Sequence, residues 1–172
     1  MGPVGAEIEI DVPRERVFAA IGDLSRRPSF TDHFLEGFRL TRLEPSGVGA
    51  GARYRFALPP HSFWADTAIA ELEAPHRIVE RGRGGRANRI PTTTIWELRE
   101  GPGASTRARV SFWTEPSHPA DRVAERLGGA ALRQERAWRE ALRRLREELE
   151  SEASSEPPLA VAGGNPHPTG IR

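Results

Sequence analysis

"EIEIDVPRERVFAAIGDLSRRPSF", residues 7–30, passes from a strand to a helix and then interrupts the helix. Val4, Ala6, Ile8 and Ile10 alternate with Glu7 and Glu9, the pattern of a half-buried strand. Pro13 suits a first helical turn, where its missing N–H has no intrahelical partner, and Glu15 complements the helix dipole. Val17, Phe18, Ala20 and Ile21 form an apolar stripe that Gly22-Asp23 closes. The Arg26-Arg27 pair and Pro28 then break the pattern before Phe30, His33 and Phe34. This spacing predicts two short helices separated by a bend over residues 22–28.

Downstream, the chain reads as strands divided by turn signals. Phe38-Leu40-Leu43 leads to Pro45-Ser46-Gly47, and residues 52–58 carry Tyr54, Phe56 and Leu58 opposite Arg53 and Arg55. Residues 62–73, 77–81, 92–99 and 106–114 follow, with a Gly-Arg-rich turn over 82–86 and a hairpin connection at Glu100-Gly101-Pro102-Gly103. The last periodic segment opens at Pro119. Val123, Leu127, Ala130, Ala131, Trp138, Ala141, Leu142, Leu145 and Leu149 recur at spacings of three and four, the apolar face of a long helix. Gly128-Gly129 inside it suggests a bend or close packing. Residues 151–172 lack periodicity and read as a disordered tail, which leaves one domain over 1–150.

The order strand, two short helices, six strands, long helix implies an α+β fold. Consecutive strands with short connections make an antiparallel meander, and the long amphipathic helix covers the face that needs burial.

Composition removes several function classes. Cysteine is absent, which excludes disulfides, thiolate catalysis and cysteine-bound metals. The 25 basic residues, all arginine, balance 24 acidic ones, so no global field recruits polyanions. Arg81, Arg83, Arg86 and Arg89 form one local basic cluster, but no aromatics interleave it for base stacking. It reads as a solvated loop, with no nucleic-acid partner expected. No apolar run reaches the roughly 20 residues that span a bilayer, so no stable membrane insertion is expected. The N-terminus lacks the basic-then-apolar order of a secretory signal, and the expectation is a cytoplasmic protein. His61, His76, His118 and His167 lack metal-ligand spacing, so neither a metal nor a cofactor is expected.

Four stretches together resemble the SRPBCC superfamily, also called START-like or Bet v 1-like, and within it the polyketide cyclase/dehydrase type. They are "EIEIDVPRERVFAAIGDLSRRPSF", "GVGAGARYRF", "AELEAPHRIVER" and "TTTIWELREGPGASTRARVSFWTEP", within a likeness spanning residues 4–149. The resemblance implies a helix-grip fold, in which a curved seven-stranded antiparallel sheet wraps around the long C-terminal helix. It also implies an apolar cavity, with the two short helices at its mouth. A hydrophobic small molecule such as a lipid, polyketide or aromatic compound is then the expected partner.

On that reading Phe30 matches the family's aromatic position in the second helix. His33 and Phe34 follow at i+3 and i+4 and can share its face. Tyr54, Phe56, Trp96 and Phe112 lie on apolar faces of three strands and, with Leu127 of the long helix, complete the expected ligand-binding set. The same residues could equally be core packing. No catalytic residue is identified beyond one candidate, His33, whose neighbour Asp32 points about 100° away on a helix. Two other functions stay open: a cyclase or dehydratase using a polar residue of the cavity, and an interaction module using the charged helix. Oligomeric state is not legible.

Overall fold

The alternation over residues 4–10 builds strand β1 (Val4–Ile10), which pairs antiparallel with β7 (Thr106–Thr114) from Val4 opposite Phe112 to Ile10 opposite Thr106. The computed structural model describes residues 3–58, 61–116 and 130–155. Between those strands lie helices α1 (Arg14–Gly22) and α2 (Arg27–Thr31), then β2 (Leu35–Leu40), β3 (Gly51–Leu58), β4 (His61–Glu73), β5 (Arg77–Gly84) and β6 (Ile90–Glu100). Helix α3 (Ala130–Ser155) follows β7. The seven strands form one antiparallel sheet in the order β1-β7-β6-β5-β4-β3-β2, curled into a half-barrel with α3 packed against it. The expected α+β helix-grip architecture is therefore the observed one.

Side-chain alternation decides what the concave face carries. Ala52, Tyr54 and Phe56 of β3, Ala65, Thr67 and Ile69 of β4, and Ile78 and Glu80 of β5 are buried. So are Thr92, Thr94, Trp96 and Leu98 of β6, and Ala108, Val110 and Phe112 of β7. Helix α3 closes this face with Gln134, Ala137, Trp138, Ala141, Leu142, Leu145 and Leu149.

Several boundaries differ from the sequence expectation. Strand β2 starts at Leu35 rather than Phe38, because Leu35 is buried opposite Phe56, whereas Leu43 stands in solvent. The stretch 82–84, expected to be a turn, continues β5. A Cβ on Gly82 would lie 2.2 Å from the Asp66 carbonyl oxygen, so glycine there allows close strand approach. The turn comes after it, where Gly85 has φ +76°. Helix α3 runs to Ser155, beyond the boundary at 150 expected for the domain, and Ala131 is exposed while Gln134 is buried. The expected helix start at Pro119, the Gly128-Gly129 bend, Leu127 and residues 156–172 lie outside the described residues. No described helix is long and apolar enough to cross a membrane.

Candidate functional site

The bend between α1 and α2 is built by Asp23, whose carboxylate accepts hydrogen bonds from the Ser25 N–H (2.9 Å) and hydroxyl (2.6 Å). Such Asx geometry gives the chain a local alternative to continuing the helix. Leu24 is buried within the bend, and its N–H bonds the Pro45 carbonyl at 2.9 Å. The bend also separates the fates of two adjacent arginines. Arg26 turns outward to Glu148 (2.5 Å) and Glu152 (2.6 Å) on α3. Two further contacts tie the same region to α3: the Ser29 hydroxyl bonds Glu148, and Arg144 pairs with Asp32 at 2.6 Å.

Arg27 turns inward. Its Nη2 lies 2.7 Å from Glu80 Oε1 and 3.1 Å from the carbonyl of Ile21, one of the acceptors that the end of α1 leaves open. The same Glu80 oxygen accepts the indole N–H of Trp96 at 2.8 Å. The guanidinium carbon stands 4.9 Å from the Trp96 ring centroid and 5.6 Å from that of Phe30, within cation–π range. A buried charge pair is tolerable when its remaining donors and acceptors are met, and here an indole, a helix-end carbonyl and two ring faces meet all but the Arg27 Nε–H. Tyr54 sits near this pair. Burial, reinforced by the charge of Glu80, pushes its hydroxyl pKa far up, while Arg27 and Thr67 oppose the shift. Tyr54 is therefore a protonated phenol that can donate.

Around this polar centre the rings close on one another. Trp138 of α3 lies 5.0 Å from Phe34, 5.6 Å from Trp96 and 6.1 Å from Phe112, measured between ring centroids. Phe56 links Phe34 (5.7 Å), Tyr54 (5.8 Å) and Phe112 (5.1 Å). Phe30 meets Trp96 edge-on at 6.4 Å. The structure thus brings Phe30, Phe34, Tyr54, Phe56, Trp96 and Phe112 together in one interior. Phe30 and Phe34 are 1% and 0% exposed, so the bend drives them into the core rather than standing them over an open rim.

His33 is half-buried at the edge of this cluster. Helix α2 ends at Thr31, so His33 and Phe34 lie in the turn that follows, not on the helical face expected for them. The Nε2 of His33 is 3.0 Å from the carbonyl of Ala137. A carbonyl can only accept, so Nε2 carries the proton and Nδ1 presents a lone pair. Burial lowers the pKa of the ring below its ordinary value; the Ala137 contact opposes this and the Arg144 charge adds to it. Burial thus favours the neutral form of the ring, in which Nδ1 is an acceptor.

Among the described residues, four buried polar atoms in this region have no hydrogen-bond partner: Arg27 Nε, His33 Nδ1, Gln134 Oε1 and Trp138 Nε1. Sequence reasoning missed Arg27, Glu80 and Gln134, and read Trp138 only as helix packing. The signals were present. Glu80 shares the inward row of Ile78 on β5, and Gln134 stands four residues before Trp138 on the buried stripe of α3. Among the described residues no group of His, Asp and Glu could hold a metal. Of the basic cluster, Arg81 pairs with Glu71 at 3.0 Å and Arg83 faces Asp66 across the β4–β5 pair.

Comparison with known proteins adds a family and a fold. A family model described as polyketide cyclase / dehydrase and lipid transport matches residues 1–150. The solution structure of KanY protein superposes with a TM-score of 0.69 at 19% identity, covering 87% of this chain and 99% of that one. Major latex-like protein 151 from Panax ginseng gives 0.65 at 12% identity, covering 86% and 97%. A START superfamily protein from Mycobacterium smegmatis gives 0.62 at 12% identity, covering 87% and 98%. No curated protein matches the chain.

Proposed function

The chain belongs to the polyketide cyclase / dehydrase and lipid transport family, and from that premise we propose that it binds a hydrophobic small molecule between the curled sheet and α3. The ligand is a lipid, a polyketide or an aromatic compound. The observation that carries this reading is Trp138. Its ring is enclosed by Phe34, Trp96 and Phe112, its exposure is 2%, and its indole N–H has no partner among the described residues. Buried indoles ordinarily find an acceptor, and leaving a buried donor unmet costs about 1–3 kcal/mol. A ligand lying among these rings supplies apolar contact and an acceptor together. The rings part to admit it, and the unmet donors make the closed packing less costly to open.

Native mass spectrometry of the purified protein tests the reading. The expected spectrum shows a noncovalent small-molecule adduct that dissociates on denaturation. A bare protein mass, together with no uptake of naphthalene or a long-chain alcohol in equilibrium dialysis, overturns it.

One observation favours a second reading, a cyclase- or dehydratase-like enzyme. His33 stands at the border of the same interior with its Nδ1 unpartnered among the described residues, and in its neutral form this nitrogen suits a general base. Replacing His33→Gln keeps a donor for the Ala137 carbonyl and removes the base. Loss of turnover of a bound polyketone with retained binding supports catalysis; unchanged turnover rejects it.

A further inference from the structure

The polar atoms left unmet in the interior specify more than hydrophobicity. Among the described residues, Trp138 Nε1 is a donor without an acceptor, and Gln134 Oε1 and His33 Nδ1 are acceptors without donors. Two of the three side chains stand on α3, and the third, His33, comes from the turn after α2. Gln134 and Trp138 are neighbours at i and i+4, and His33 is bonded to the carbonyl of Ala137 between them. Gln134 and Trp138 are 6% and 2% exposed, so bulk water does not answer them. Apolar walls adjoin the trio, since Phe34 lies 4.8 Å from the His33 ring and 5.0 Å from the Trp138 ring.

We propose that Trp138, Gln134 and His33 form a recognition subsite for the polar end of the ligand, and that this end is neutral and hydroxylated. The inference rests on the ligand-binding reading above and extends it to a chemical class. A hydroxyl group accepts from the indole N–H and donates to Gln134 Oε1 or His33 Nδ1. A second hydroxyl or an adjacent carbonyl completes the set. A carboxylate accepts only. It satisfies Trp138 but sets its charge against two lone pairs, and its desolvation is expensive without a paired cation. Arg27 offers no such pairing, because its charge is already taken by Glu80, and Arg144 is engaged by Asp32 and Glu140. The subsite therefore selects phenols and hydroxyketones over fatty-acid anions of the same apolar bulk.

Equilibrium dialysis with three probes of one ring system tests this: naphthalene, β-naphthol and β-naphthoate. One neutral hydrogen bond is worth about 1 kcal/mol, and two correspond to roughly a thirtyfold gain in affinity. The expected order is β-naphthol tightest, naphthalene weaker by about tenfold or more, and β-naphthoate no tighter than naphthalene. Trp138→Phe keeps an aromatic ring, though a smaller one, and Gln134→Met keeps the side-chain bulk, while both remove the polar atoms. In each variant the preference, read as the ratio of the β-naphthol to the naphthalene affinity, shrinks. If naphthalene binds and β-naphthol gains nothing over it, or if the preference survives both substitutions, the subsite is overturned and the ligand-binding reading stands. If none of the three probes binds, the subsite falls, and a bare native mass with no uptake of a long-chain alcohol takes the ligand-binding reading down with it. Circular dichroism on each variant confirms that the fold is retained before affinities are compared.

Discussion

Arg27 and Glu80 meet at 2.7 Å with both side chains 3% exposed, so the first residue of α2 is fastened by charge to the concave face of β5. Trp96 joins them through its indole N–H. Burying two ions is costly even when they are paired, while removing one partner strands the other in a medium that solvates it poorly. This asymmetry gives the first prediction. Arg27→Met and Glu80→Leu should each destabilise the protein by about 3–5 kcal/mol. The double variant should lose less than either single one, because no charge is left stranded. Guanidinium denaturation of all four proteins measures the coupling directly. Equal losses in the singles and the double would mean that the pair contributes packing rather than charge.

The second prediction concerns two indoles whose ring centroids are 5.6 Å apart. Trp96 is hydrogen-bonded to a carboxylate, and the Trp138 N–H has no partner among the described residues. A hydrogen bond to a charged group contributes about 1.5–3 kcal/mol, whereas deleting an unmet donor removes a penalty. Trp96→Phe should therefore cost more than Trp138→Phe by at least ~1 kcal/mol in ligand-free protein. Both changes shrink a buried ring similarly, so the difference isolates the N–H. Chemical denaturation at matched conditions checks it, and a reversed order would contradict the assignment of the unmet donor.

These residues mark where sequence reading succeeded and where it stopped. Strand β1, strand β7 and the two-helix interruption follow from alternation and turn chemistry, which are local, and the bounds of β1 and β7 agree with the reading residue for residue. Tyr54, Trp96 and Phe112 were recognisable on apolar strand faces for the same reason, whereas Phe30 rested on the family resemblance. The Arg27–Glu80 pair was not, because its members stand 53 positions apart and each alone looks like a surface charge. Gly82 misled for a related reason: it reads as a turn signal until β4 is seen pressing against it. The burial of Gln134 followed the helical period, yet a polar residue on an apolar stripe is easily taken for an exposed one.

The third prediction is a pH dependence. Burial holds the pKa of His33 below the ordinary value of 6.5. Its folded pKa is thus lower than its unfolded one, and the unfolded chain binds the extra proton first. The sign follows: stability associated with this group is fully present above the unfolded value and is lost as pH falls through it toward the folded value. Arg144 reinforces the depression, while Glu140 and Asp32 act against it. The native protein should therefore lose stability as pH falls below about 6.5 more steeply than His33→Gln does. Subtracting the two denaturation series removes the contribution of the carboxylates they share. Parallel curves would show that His33 titrates normally.

The last prediction turns on the neighbour of Arg27. Arg26 pairs with Glu148 and Glu152, and these carboxylates raise its pKa. Its side chain is 32% exposed against 3% for Arg27, so solvent competes for the same interactions. Ion pairs in such positions are worth about 0–1 kcal/mol and weaken with salt. Arg26→Ala should thus cost no more than ~1 kcal/mol, and raising the ionic strength should shrink that cost. The loss from Arg27→Met should hardly respond to salt, because the Debye atmosphere does not penetrate the core. Denaturation of the two variants at low and high sodium chloride separates the adjacent arginines. If their salt responses match, Arg27 is reached by solvent and the interior it anchors is open rather than closed.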